Sequence, residues 1–185
     1  PDLPAFLLAK ESFRAKAYDD KQPWLDLNPG DEHRVKGTIT YGGGLTKRAD
    51  GTPVQLGDTI TEQENLDRMA RYIRENIEPA LANMIRPGIL AGHQYDALGS
   101  FLYQYGESEM DDWNLIGLIN REAPWQEIVR EWIDGTVYWL DEPLFWGRRV
   151  SEILMWMGLD WRAGQNVPPT QDIVSVVEML QPDPL

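Results

Sequence analysis

Residues 38–47 read Thr38-Ile39-Thr40-Tyr41-Gly42-Gly43-Gly44-Leu45-Thr46-Lys47. β-Branched and aromatic residues run directly into three glycines, the pattern of a strand that enters a sharp corner. The strand reads back to Val35, and a second β-type run follows from Val54 to Leu56. Turn signals, Asn28-Pro29-Gly30-Asp31 and Asp50-Gly51-Thr52-Pro53, flank these runs. Residues 18–58 therefore read as a small, irregular antiparallel sheet. No Gly-Lys-Ser/Thr follows the glycines, so they are not a phosphate loop and read instead as a flexible lip.

Upstream, Leu3, Phe6, Leu7, Ala9 and Phe13 recur at helical spacing, with Asp2 as N-cap and Pro4 in the first turn. Glu11 stands near the C-terminal end of this helix, facing the negative end of its dipole. Downstream, Thr61 and Glu64 form a capping-box pair ahead of Leu66, Met69, Ala70, Ile73, Ile77, Leu81 and Met84. A long helix over 61–85 results, which Pro79 should kink or end early. Helices follow over Gln94 to Tyr105 (with Gly106 as C-cap), Trp113 to Arg121, Pro124 to Ile133, Pro143 to Met157 and Ile173 to Leu180. Tryptophans spaced from Trp125 to Trp132 and from Trp146 to Trp156 read as core, whereas Trp24 reads as exposed in a loop.

The chain has 185 residues, no cysteine, two histidines and a net charge of −13. Disulfides, thiolate metal sites and cysteine nucleophiles are thereby excluded, and His33 and His93 have no ligand partners by spacing. The acidic balance disfavours nucleic acid as a partner. No apolar run is long enough for a membrane span, and no signal peptide is visible. The chemistry-bearing groups are Glu11, the pair Asp19-Asp20, and the threonines Thr38 and Thr40. Two carboxylates in unequal surroundings suit glycoside hydrolysis, one giving a proton to the leaving oxygen and one serving water or the developing positive charge.

The order Glu11, Asp20, Thr38-Ile39-Thr40-Tyr41-Gly42-Gly43-Gly44-Leu45-Thr46-Lys47 resembles the N-terminal lobe of the phage-type lysozymes, glycoside hydrolase family 24. Ile60-Thr61 with the helix behind them, Gln94 through Gly106, and Trp146-Gly147-Arg148-Arg149-Val150-Ser151-Glu152 resemble later family segments in the same order. The likeness runs over about residues 3 to 158. Three departures stand out. Seventeen residues separate Asp20 from Thr38, so Gln22 to Lys36 reads as an insertion that could re-aim Asp20 and bring in Asp19, Asp26 or Asp31. Thr40 stands where the family has glycine, and Gly43 where it has histidine.

The resemblance implies a mostly helical α+β fold with two lobes: a sheet-bearing lobe at 1–60, a linking helix at 61–85 and a helical lobe at 86–158. Residues 159–185 form a Pro-containing extension. It implies a muramidase that hydrolyses the β-1,4 bond between N-acetylmuramic acid and N-acetylglucosamine with inversion. Glu11 is then the general acid, Asp20 places the water, and Thr38 holds it. Gln104 would bind an N-acetyl group, with Tyr103 and Gly42 as further substrate contacts; Trp24, by its exposed place in the inserted loop rather than by the resemblance, reads as a platform for a sugar ring. Arg148 and Arg149 read as partners of Glu152 within the helical lobe rather than as substrate ligands.

No metal or organic cofactor is expected. The expected partner is bacterial peptidoglycan, met by a monomer in the periplasm or cell wall. The charge of −13 suits delivery by a larger assembly, such as a phage tail or a secretion machine, better than electrostatic adsorption. With no signal peptide visible, the expected routes are release by a holin, carriage by a virion or delivery by another machine. The rival readings are a glycosidase of chitin or chitosan, a wall-binding or virion structural domain with an impaired site, and a lytic transglycosylase.

Overall fold

The computed structural model describes residues 3–107, 114–134, 143–169 and 171–181. The expected N-cap Asp2 and the start of the Trp113 helix lie outside them. Two compact units divide the chain, residues 2–73 and residues 74–185.

In the first unit, helix α1 (Leu3–Glu11) packs on helix α2 (Glu62–Tyr72). Strand β1 (Arg14–Asp19) pairs antiparallel with β2 (Ile39–Gly42), with Tyr18 opposite Thr40 and Asp19 opposite Ile39. The register shifts between Arg14 and Tyr18. In that stretch β1 bonds elsewhere: the Ala17 amide donates to the Asp58 carbonyl and the Ile60 amide to the Ala15 carbonyl, both at 2.9 Å. Ala17, Tyr41, Val54 and Ile60 close a small core, with Phe13, Ile39 and Leu45 packed against it.

The sheet differs from its sequence reading in three places. The segment Arg14–Asp19 is polar enough to escape a β pattern, yet it is the partner strand. Val35 and Lys36 do not pair, because the Lys36 amide donates instead to the Asp19 carboxylate at 2.7 Å. Val54–Leu56 is no strand; that hairpin closes through a single bridge, Lys47 with Pro53.

The helix beginning at Glu62 is capped as its sequence predicts, the Thr61 hydroxyl accepting from the Glu64 amide at 3.1 Å. Pro79 does not end it. The backbone widens to a π turn over Ile73–Ile77 and continues as α3 (Glu78–Met84). Pro79 has no N–H to give to the preceding turn, and a wider turn just before it accommodates that loss. Buried positions recur at Asn65, Met69, Ile73, Ile77, Leu81 and Ile85.

The second unit holds α3, α4 (Gly92–Tyr105), α5 (Asn114–Asn120), α6 (Trp125–Asp134), α7 (Pro143–Trp156) and α8 (Ile173–Leu180). Gly106 ends α4 with φ +81, its amide donating to Leu102. Helix α7 packs on α4 and on a 3-10 segment, Trp161–Asn166, and α8 packs on α6. Residues beyond Gly158 are thus part of this unit's packing: Trp146 Nε1 donates to the Val167 carbonyl at 2.9 Å, and Gly164 lies against the Ser151 backbone. Edge-to-face contacts link Trp132 to Phe101 and to Trp156, the aromatic core expected from their spacing.

Candidate active site

Glu11 is the last residue of α1, and Ser12 beyond it adopts φ +53. A left-handed residue ends a helix sharply and turns the chain toward β1. Glu11 is half-buried and lies against the glycine corner: a Cβ built on Gly43 would stand 3.3 Å from the Glu11 Cβ.

Asp20 follows β1, and the insertion returns to it. The Asp20 amide donates to the Thr38 carbonyl at 3.1 Å, and the Thr38 amide donates to Asp20 Oδ1 at 2.8 Å. Seventeen intervening residues therefore end where they began, with Asp20 and Thr38 tied together by two hydrogen bonds. Both side chains are exposed. Gly37 makes this closure possible, since a Cβ there would fall 1.9 Å from Asp20 Oδ1 and 2.5 Å from Asp19 Oδ1.

The neighbouring acids are occupied. Asp19 is fully buried and accepts from the Lys36 amide at 2.7 Å, Gln22 Nε2 at 2.9 Å and the Lys21 amide at 3.0 Å. Burial by itself pushes its carboxyl up. The donors from Lys36, Gln22, Lys21 and Gly37 outweigh that and hold it below the ordinary aspartate value. Asp26 pairs with Lys16 at 2.6 Å, and Asp31 caps the Asn28 amide and binds Arg34. Asp19 thus clasps the insertion onto the sheet, while Asp20 is left at the surface beside Thr38.

The glycine corner is pinned, contrary to its reading as a flexible lip. Tyr41 and Leu45 exchange both backbone hydrogen bonds, and the Gly43 amide donates to the fully buried Asn65 Oδ1 at 3.0 Å. Arg68 of α2 donates to the Tyr41 hydroxyl at 2.6 Å and to the Lys47 carbonyl. Neither Asn65 nor Arg68 announces itself in the sequence, because both are polar residues on a largely polar helix. Thr40 of β2 is buried, and its Oγ1 has no hydrogen-bond partner among the described residues.

Trp24 is 78% exposed, as its loop position suggested. With Arg14, Lys16, Tyr18, Pro23 and Asp26 it lines a shallow groove of about 390 Å³ between the insertion and β1. Arg14 donates to the Pro23 carbonyl at 2.5 Å and stacks over the Tyr18 ring.

Tyr103 and Gln104 belong to α4 in the other unit. Gln104 Oε1 accepts from Arg149 Nη2, which leaves the amide nitrogen as its donor end. Arg149 lies over the Phe101 and Tyr105 rings and pairs with the buried Glu152. Arg148 pairs with the same carboxylate at 3.3 Å, and Ser100 Oγ donates to it at 2.5 Å. The two arginines are therefore the internal partners of Glu152. Burial pulls the Arg149 guanidinium below its usual value, and the Glu152 charge opposes that. Among the described residues, no cluster of His, Asp and Glu is arranged for a metal ion.

A family model described as phage lysozyme matches residues 9–134. No curated relative matches the chain. Among solved structures, a mutant lysozyme of phage P22 is 24% identical, with a TM-score of 0.63 over 84% of this chain and 94% of that one. The endolysin of Escherichia coli O157:H7 phage FAHEc1 is 20% identical, with a TM-score of 0.63 over 84% and 90%. The muramidase domain of SpmX from Asticaccaulis excentricus is 18% identical, with a TM-score of 0.58 over 84% and 94%.

Proposed function

The chain belongs to the phage lysozyme family, whose model spans more than half of it, and from that premise we propose that it is an inverting muramidase of bacterial peptidoglycan. It cleaves the β-1,4 bond between N-acetylmuramic acid and N-acetylglucosamine and thereby lyses the wall. Glu11 gives its proton to the glycosidic oxygen as the bond to the anomeric carbon breaks. Thr38 holds a water by its hydroxyl, Asp20 takes that water's proton, and the water oxygen bonds to the anomeric carbon from the opposite face. Inversion requires the two carboxyls to be about 6.5–9.5 Å apart, with room for the water between them.

The observation that carries the reading is the double hydrogen bond joining Asp20 to Thr38 across the insertion. It supports keeping the water-placing pair together where the sequence alone left Asp19, Asp26 and Asp31 as substitutes. Gln104, its carbonyl end engaged by Arg149, offers N–H donors to an N-acetyl carbonyl. Tyr103 and Gly42 contact the sugar, and Trp24 offers a flat face for ring stacking. No metal or organic cofactor takes part.

The protein acts as a monomer in the periplasm or cell wall. A net charge of −13 does not draw it to its anionic substrate; release by a holin, carriage on a virion or delivery by a secretion machine brings it there. The test is digestion of purified sacculi, with the products identified by mass and the new anomeric centre by proton NMR. Disaccharide muropeptides with reducing ends of inverted configuration are expected. Anhydro-muropeptides would make it a lytic transglycosylase. Wall binding without product would make it a structural domain, and cleavage of chitosan in place of sacculi would change its substrate.

A further inference from the structure

Asn65 is a fully buried polar residue on α2 in the same row as Met69 and Ile73, where an apolar side chain is the ordinary occupant. A buried amide is costly unless its polar atoms are paired. Here Oδ1 accepts from the Gly43 amide at 3.0 Å, and Nδ2 lies 3.3 Å from the sulfur of the buried Met69. Gly42 approaches so closely, at φ +61, that a Cβ on it would stand 2.1 Å from Asn65 Oδ1. Gly43 in turn lies against Glu11, and a Cβ on it would meet the Glu11 Cβ at 3.3 Å and Asn65 Nδ2 at 3.7 Å. The glycine corner is therefore wedged between one side chain of α2 and the last residue of α1. At Gly43, where the related pattern carries a histidine side chain, the corner has only backbone to offer, and Asn65 is what holds that backbone.

We infer that Asn65 is a positioning residue for the reaction: by holding the Gly43 amide it fixes the wall against which the Glu11 side chain is aimed. This rests on Glu11 being the general acid. Misplacement of a reacting group by about 1 Å costs on the order of 100-fold in rate. Of the sugar contacts proposed above only Gly42 belongs to this corner, while Tyr103, Gln104 and Trp24 stand on other elements. A leucine at position 65 keeps asparagine's branching, with bulkier methyl groups in place of its polar atoms, and leaves the Gly43 amide without its acceptor. An aspartate keeps the acceptor. When ionised it also places a negative charge behind the corner, which raises the proton affinity of Glu11.

The experiment measures kcat, KM and the pH dependence of kcat/KM on soluble peptidoglycan chains for wild type, Asn65→Leu, Asn65→Asp and Glu11→Gln. Thermal unfolding and the exchange rate of the Gly43 amide are followed by NMR. Asn65→Leu is expected to lose about 10- to 100-fold in kcat with KM within about threefold, and to lose protection at Gly43. Asn65→Asp is expected to retain activity at acidic pH and to shift the alkaline limb of the profile upward. A stable leucine variant with wild-type kcat overturns the inference. Should the leucine variant fail to fold, an unmoved alkaline limb in Asn65→Asp does so by itself. If Glu11→Gln keeps full activity, the acid assignment falls. In that case the Gly43 exchange rate still reports whether Asn65 anchors the corner.

Discussion

Replacing Gly42 by alanine strains the corner in two separable ways. At φ +61 the backbone is left-handed, which costs a residue with a Cβ about 1–2 kcal/mol. The new Cβ would also lie 2.1 Å from Asn65 Oδ1 and 2.9 Å from its Cγ, more than an ångström inside ordinary contact with the oxygen. Asn65 cannot withdraw without giving up its bond to the Gly43 amide, and a buried donor left unpaired costs about 1–3 kcal/mol. The expected loss is about 3–4 kcal/mol, which at a urea slope of about 2 kcal/mol per molar lowers the unfolding midpoint by about 1.5–2 M. Gly44 supplies the control. It is also left-handed, at φ +86, but nothing lies within 4 Å of its would-be Cβ. Gly44→Ala should therefore show the backbone cost alone, a fall of about 0.5–1 M. Urea unfolding of both variants, followed by tryptophan fluorescence, decides the matter. Equal midpoints would refute the claim that Asn65 is wedged against the corner.

Thr40→Val removes a buried hydroxyl that has no partner among the described residues, so a gain of about 1 kcal/mol and a rise in melting temperature of about 2–4 °C are expected; a fall would show that the hydroxyl is bonded. Asp58 is held below its ordinary value by the Arg48 side chain, and Asp19 by its amide donors, which overcome its burial. Folded carboxyls depressed in this way contribute stability that is complete above their unfolded value of 3.8 and is lost as pH falls through the folded values. Melts between about pH 6 and 2.5 should therefore drop below pH 4, and less steeply in Asp58→Asn. Glu152→Ala leaves Arg148 and Arg149 buried without their shared anion and should cost about 3–5 kcal/mol in urea unfolding. A neutral outcome would mean the two guanidiniums find other partners.

Elements carried by local signals were legible. The Thr61 cap, the Gly106 stop, the final helix Ile173–Leu180 and the pairing of Glu152 with the two arginines all follow from residue types at short spacing. The misreadings share one physical cause, which is that long-range partners decide. Arg14–Asp19 has no β pattern of its own and becomes a strand through β2 and the Asp58–Ile60 segment. Val35 and Lys36 look like strand, but Asp19 claims the Lys36 amide. Pro79 breaks helices in isolation, yet here a π turn absorbs it within a row of buried residues spaced four apart. In the site, the pairing of Asp20 with Thr38 depends on how the seventeen residues between them close, and Gly37, which permits the closure, looks like any loop glycine. Asn65 was invisible because only the approach of the glycine corner gives its side chain a task.

The central claim is that Glu11 donates the proton that breaks the glycan. Wild type and Glu11→Gln should be compared on outer-membrane-permeabilised Gram-negative cells and on purified sacculi, with the released muropeptides weighed by mass spectrometry. The substitution nearly conserves shape and removes the acid. Lysis with reducing-end disaccharide muropeptides from wild type, and neither from a folded Glu11→Gln, is the result the account predicts; equal lysis and equal products from both would contradict it.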